Sequence, residues 1–138
     1  MPVRKADATW NGDLRDGEGT MAVESGAYEG AFSYGTRFGD DPGTNPEELI
    51  AAAHAGCFSM AFANELDDAG HTPESVSTEA SVYLEDGAIT RVHLDCEAAV
   101  PDVDEGAFQE IAEGAKEGCP VSQALAAVDE ITLDATLA

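Results

Sequence analysis

The segment from Asn45 to Ala63 constrains this chain more than any other, because its residues must form a helix and that helix needs cover on nearly every side. It opens Asn45-Pro46-Glu47-Glu48. Asparagine is a good N-cap, since its side chain accepts an N–H that the first turn leaves unpaired. Proline suits the first helical position, where no N–H is needed. Glu48 falls at the third position, the spacing of a capping box, and two carboxylates in that turn suit the positive end of the helix dipole. From Leu49 to Ala63 nearly every position is apolar, so the helix has little wet face and is expected to be buried. It turns polar at Asn64-Glu65, and Gly70 followed by Pro73 marks its stop.

Short strands flank this helix. Ala6–Trp10 comes first, then a turn through Asn11-Gly12-Asp13, a second strand at Gly19–Glu24 and a looser third around Ala31–Tyr34. After the helix, Val76, Thr78, Ala80, Val82 and Leu84 share one face of a strand, and Asp86-Gly87 supplies a hairpin turn. The return strand places Val92, Leu94, Cys96 and Ala98 inward, with Arg91, His93, Asp95 and Glu97 outward. A second helix follows over about Asp104–Glu117, with Phe108, Ile111, Ala112 and Ala115 at helical spacing. Gly118 is expected to break it, Cys119-Pro120 to open a short third helix, and Ile131–Leu137 to close the chain as a strand. No repeat or linker interrupts this order, and 138 residues with 43% hydrophobic content suffice for one core. The expectation is a single α+β domain over residues 1–138.

The charge is extreme: 28 acidic residues against 6 basic ones, a formal net charge of −22. Such a surface repels nucleic acid and anionic membranes, which makes both poor partners. The acid is spread along the chain, not gathered in a tail, and reads as adaptation of a folded protein to a salty interior where screening removes self-repulsion. There is no basic segment followed by an apolar stretch at the N-terminus and no run of eighteen apolar residues, so the expectation is a soluble, cytoplasmic protein. In that compartment three cysteines suggest reactive or buried thiols, not a disulfide scaffold, and no Cys-x-x-Cys occurs.

Cys57 sits inside the apolar helix, where a free cysteine usually serves as a small core hydrophobe. Cys119 carries the opposite signal, because a thiol at a helix start faces unpaired N–H groups that favour the thiolate. A thiol pair of this kind can do peroxide chemistry. Cys96, on the apolar face of a strand, reads as structural. His54 stands three residues before Cys57, but one His/Cys pair does not close a metal site. His54, His71 and His93 are each open to reading as the base of a cysteine hydrolase, although no motif positions a partner for them. Arg37 is one of the six cations and lies just upstream of the acidic helix start, within reach of Glu47 or Glu48. It reads either as a surface ion pair of little worth or as a guanidinium that stabilises a thiolate and binds peroxide oxygens.

Thr36-Arg37-Phe38, the run Gly43–Met60 and the run Gly118–Leu125 together resemble the OsmC branch of the OsmC/Ohr peroxiredoxin-like family, with Trp10-Asn11-Gly12-Asp13 and Gly19-Thr20 in similar order. The likeness covers most of the chain. It implies a thiol-dependent peroxidase acting on organic hydroperoxides and using no metal, haem or flavin. In that resemblance Cys57 matches the peroxidatic cysteine, Cys119 the resolving one, and Arg37 with Glu47 the activating pair. Gly56 stands where a second alanine is common, and Cys96 is an extra thiol. A dithiol, of lipoyl type in this family, is the implied reductant. A non-catalytic stress or binding protein on the same fold is the competing reading.

Glu47 and Cys57 are ten residues apart, about 15 Å along a helix, which neither side chain spans. If the pair activates Cys57, the simplest geometry is an intertwined two-fold homodimer with antiparallel central helices. Such a dimer also covers an apolar helix that one small domain cannot bury alone.

Overall fold

The α+β expectation holds in a computed structural model that describes residues Met1–Ala138. Its elements fall in two compact units, Met1–Leu49 and Ile50–Ala138.

In the first unit, β1 (Ala6–Asn11), β2 (Glu18–Val23) and β3 (Glu29–Phe32) form an antiparallel meander in the order β1-β2-β3. The third strand stops short of the expected Tyr34, and the chain turns into a helix that the sequence reading missed, α1 (Tyr34–Phe38). The cause is reciprocal capping. Ser33 accepts the Thr36 N–H at 3.2 Å, while Thr36 Oγ1 accepts the Ser33 N–H at 2.8 Å. Gly43, at φ +144°, returns the chain past β3, where a Cβ would lie 2.7 Å from the Ala31 carbonyl oxygen. Thr44 N–H then donates to that carbonyl at 2.8 Å.

The long helix α2 runs Pro46–Asp68. Asn45 caps it as expected, its Oδ1 accepting the Glu48 N–H at 2.7 Å. The other half of the capping box is diverted: the Glu48 carboxylate accepts the Thr44 hydroxyl at 3.0 Å. Gly70, at φ +89°, ends the helix, and the His71 N–H reaches back to the Leu66 carbonyl at 2.8 Å. The expectation of burial on all sides is corrected. His54, Phe58, Phe62 and Leu66 form one fully buried line, but Ala52, Ala53, Gly56 and Met60 are exposed, Met60 at 77%. Apolar side chains occupy both faces, and one chain covers only one.

The second unit holds β4 (Ser75–Glu85), β5 (Ala88–Ala99) and β6 (Glu130–Leu137) in the order β4-β5-β6. Asp86 and Gly87 take the positive φ angles (51° and 79°) of a tight hairpin turn, and β6 adds parallel to β5. A parallel neighbour needs a crossover, here made by α3 (Glu105–Gly118) and α4 (Pro120–Ala124). Val92, Leu94, Cys96 and Ala98 are buried as the alternation required. Leu94, Cys96 and Ala98 pack with Phe58, Phe62 and Leu66 of α2 and Phe108, Ala112 and Ala115 of α3. Phe62 lies between Phe58 and Phe108, with ring centroids 5.6 and 5.3 Å away. Each such buried ring stabilises the unit by about 1.5–3 kcal/mol, and together they hold α2 against the sheet and α3.

Candidate active site

In the first unit, α1 presents Arg37 and the first turn of α2 presents Glu47. The guanidinium donates twice to one carboxylate, Nε to Oε1 at 2.9 Å and Nη2 to Oε2 at 2.8 Å. This fork fixes the plane of Arg37 as a lysine could not be fixed. Of the two glutamates within reach by sequence, Glu47 is the partner, and it is only 8% exposed. Asn45 Nδ2 donates to the Thr36 carbonyl at 3.1 Å, tying α1 to the start of α2. Arg37 borders an open cavity of about 280 Å³, walled by Trp10, Leu14, Phe32, Tyr34 and Phe38.

In the second unit, Cys57 of α2 and Cys119 are brought together across 62 residues of chain, their sulfurs 3.0 Å apart. Both are free thiols. Cys119 is held by backbone on both sides. Its N–H donates to the Ala115 carbonyl at 2.9 Å and its carbonyl accepts the Gln123 N–H at 3.0 Å. It both ends α3 and starts α4, with φ −61° and ψ 125°. Gly118 is therefore not the break: it is the last helical residue, and Pro120 forces the residue before it out of the helical region.

The two sulfurs differ electrostatically. Burial pushes the half-buried Cys57 thiol up, and its hydrogen bond with Cys119 pushes it further, against a smaller opposing effect of the Val121 N–H. Burial also pushes Cys119 up, but there it is outweighed. The hydrogen bond with Cys57, the N–H and hydroxyl of Ser122 and the N–H of Val121 bring it below the ordinary thiol value. No cap hydrogen bond is formed to the neutral sulfur, yet these donors lie close enough to favour the anion. Cys57 is thus pushed up and Cys119 down, and no cation of this unit offsets the rise at Cys57.

Cys96 is 1% exposed on β5, and burial raises its thiol, as suits a core residue. His93 lies between Thr132 Oγ1 (2.6 Å) and Asp134 Oδ2 (3.2 Å) on β6, fastening the parallel pair. His54 is fully buried, with Nε2 2.7 Å from Ser122 Oγ and Nδ1 without a partner. Sequence reasoning passed over Ser122. Its only signal was the Cys-Pro-x-Ser spacing, which sets a hydroxyl one helical turn beyond Cys119. No group of three or more His, Cys, Asp or Glu stands together to hold a metal ion. No helix is long and apolar enough to cross a membrane.

A family model described as OsmC-like protein matches residues 39–134. The chain is 49% identical over 136 residues to "Peroxiredoxin OsmC" of Escherichia coli K12, covering 95% of this chain and 94% of that one. It is 35% identical over 95 residues to an organic hydroperoxide resistance protein of Xanthomonas axonopodis pv. citri, 66% of each chain. Among solved structures, an organic hydroperoxide resistance protein from Elizabethkingia anophelis superposes with a TM-score of 0.74 at 25% identity, covering 99% of both chains.

Proposed function

This chain belongs to the OsmC-like protein family, and on that premise we propose that it is a thiol-dependent peroxidase reducing organic hydroperoxides through Cys57. The observation that carries the proposal is the pair of free sulfurs at 3.0 Å. That is close enough for one sulfur to trap the other's oxidised form with little backbone movement. The Cys57 thiolate attacks the distal peroxide oxygen, the O–O bond breaks, an alcohol leaves and Cys57 becomes a sulfenic acid. Cys119 condenses with it to a disulfide, which protects Cys57 from further oxidation. A dithiol, of lipoyl type by family likeness, then reduces the disulfide by exchange. The names of the relatives, a peroxiredoxin and hydroperoxide resistance proteins, support this substrate class.

The raised Cys57 thiol supports the companion proposal that Arg37, held by Glu47, stabilises this thiolate and the departing oxygen. We assign that role across a homodimer, with Arg37 of one protomer serving Cys57 of its partner. Two observations favour it. The exposed stripe Ala52, Ala53, Gly56 and Met60 on α2 is an apolar face wanting cover. Glu47 and Cys57 stand ten residues apart on one helix, about 15 Å of rise. The apolar wall beside Arg37 suits the alkyl part of an organic hydroperoxide better than hydrogen peroxide.

The test is steady-state consumption of tert-butyl hydroperoxide with dihydrolipoamide as reductant, comparing wild type with Cys57→Ser and Cys119→Ser. The proposal expects no turnover in Cys57→Ser, and in Cys119→Ser a single turnover followed by sulfinic acid at Cys57. Undiminished turnover in Cys57→Ser would dispose of it.

A further inference from the structure

His54 is a fully buried titratable group that the peroxidase chemistry above does not use. Its Nε2 lies 2.7 Å from Ser122 Oγ, a hydroxyl on a residue only 6% exposed, while Nδ1 is buried with no partner. This asymmetry assigns the ring's proton. A proton on Nδ1 would leave a buried N–H donor unsatisfied, and a doubly protonated ring would add a buried charge to that loss. A proton on Nε2 leaves only a bare acceptor at Nδ1, the smaller penalty. Nε2–H is then the donor and Ser122 Oγ the acceptor. Because Ser122 Oγ accepts from the ring, its own hydrogen is free for another acceptor. Ser122 lies three residues after Cys119, and His54 three before Cys57, so the His54–Ser122 and Cys57–Cys119 pairs sit one helical turn apart between the same two segments.

We propose that His54 is a neutral, permanently donating positioning residue whose Nε2–H turns the Ser122 hydroxyl toward Cys119, stabilising the thiolate that resolves oxidised Cys57. The order of donation is His54 Nε2–H to Ser122 Oγ, then Ser122 Oγ–H to Cys119 Sγ. Burial holds His54 below the ordinary histidine range, which agrees with a ring that stays neutral at physiological pH. A ring of this tautomer has no lone pair at Nε2, so His54 does not act as a base toward Ser122. The groups that bear on Cys119 are Cys57 from α2 and Val121 and Ser122 from α4, which makes Ser122 the one side-chain donor there besides the other thiol.

The role in turnover rests on the peroxidase reading. In the resolving step the Cys119 thiolate attacks the sulfur of the Cys57 sulfenic acid. The S–S bond forms as the S–O bond breaks, and the departing hydroxide takes a proton to become water. A hydrogen bond that keeps Cys119 ionised raises the fraction of molecules ready for that attack. It competes directly with a second peroxide, which would carry Cys57 on to sulfinic acid.

The experiment has a part that needs no peroxide. Long-range proton–nitrogen correlation NMR of the reduced wild-type protein should show His54 as the neutral Nε2–H tautomer. A neutral Nδ1–H ring or an imidazolium at neutral pH overturns the proposal. Thiolate absorbance against pH is then recorded in a Cys57→Ala/Cys96→Ala background, where Cys119 is the sole thiol. Adding Ser122→Ala or His54→Phe should lower the thiolate fraction at a fixed pH below the midpoint by roughly three- to tenfold. His54→Gln, whose amide N–H can donate to Ser122, should retain most of it. If His54→Phe does not fold, Ser122→Ala carries the test, being a one-atom deletion. A folded Ser122→Ala protein with an unchanged titration defeats the relay. With peroxide and wild-type cysteines, Ser122→Ala should raise sulfinic acid relative to disulfide while leaving the first oxidation of Cys57 unslowed; an unchanged ratio counts against the relay. Failure of peroxide to oxidise Cys57 at all would instead remove the peroxidase reading and leave the tautomer and titration results standing.

Discussion

Replacing Arg37 by lysine keeps the charge and removes the fork, which makes it the sharpest probe of the pair. Arg37 gives Glu47 two charge-assisted bonds, at 2.9 and 2.8 Å, and a lysine ammonium can give one. A buried hydrogen bond to a charged group is worth about 1.5–3 kcal/mol. The Glu47 side chain is 11% exposed but that of Arg37 is 38% exposed, so solvent discounts the loss to about 1–2 kcal/mol. For a chain of 138 residues the unfolding entropy is about 0.3 kcal/mol per degree, which makes the expected fall in melting temperature roughly 3–7 °C. The effect on rate should be larger than the effect on stability. Two oriented N–H groups are replaced by a mobile point charge, and losing one preorganised donor to a developing anion commonly costs about 10²–10³ in rate. Because the charge survives, the expected loss is smaller than that range, a fall of about 10- to 100-fold in kcat/KM for tert-butyl hydroperoxide. Reduction of the preformed Cys57–Cys119 disulfide by dithiol should be unaffected. A folded Arg37→Lys protein with wild-type kcat/KM would refute the reasoning, because it would show that the fork to Glu47 has no part in the reaction.

Three further outcomes are expected. With net charge −22, thermal stability should rise as salt is added from low to molar concentration, and a flat melting temperature across the series would sink the reading of the surface as salt-adapted. Burial depresses the pKa of His54, so the unfolded chain takes up this proton before the native one does. Its share of stability is therefore intact above the unfolded value of about 6.5 and is lost as pH falls toward the folded value, at up to about 1.4 kcal/mol per pH unit. His54→Gln should show a shallower acid-side decline in melts than wild type, and identical slopes would contradict the assignment. Mixing inactive Cys57→Ser with inactive Arg37→Ala protein under subunit exchange should restore activity from one working site per heterodimer; persistent inactivity would place the pair in cis.

Much of the fold from the start of α2 onward was legible because its signals are local. The Asn45-Pro46 start of α2, the Asp86-Gly87 turn and the inward Val92, Leu94, Cys96 and Ala98 all follow from capping, turn chemistry and a period of two. What was missed depends on competition or distance. Ser33 and Thr36 cap each other and take Tyr34 from a strand into α1, an effect hidden in a segment whose composition suits a strand. The break after α3 was assigned to Gly118, although the clash of Pro120 with the preceding residue decides it. Burial of α2 on all sides followed from composition, but composition does not say which chain supplies the cover, and Met60 stays outside. At the candidate site, Glu47 and Glu48 were both within reach of Arg37 by sequence. The family likeness chose Glu47; in the structure Glu47 pairs with Arg37, while Glu48 accepts the Thr44 hydroxyl. The His54–Ser122 bond spans 68 residues, and nothing local announces it. Two sulfurs 62 residues apart were paired by family likeness, since no spacing rule brings Cys57 to Cys119.

The central claim is that Cys57 and Cys119 together reduce a hydroperoxide, and mass spectrometry of the intact chain addresses it most directly. Reduced protein is treated with one equivalent of tert-butyl hydroperoxide, quenched by alkylation, weighed whole and then peptide-mapped. The account predicts a chain lighter by two hydrogens before alkylation, one remaining alkylatable thiol at Cys96, and a single linked pair, Cys57 with Cys119. Three alkylatable thiols after treatment, or a disulfide that includes Cys96, would contradict it.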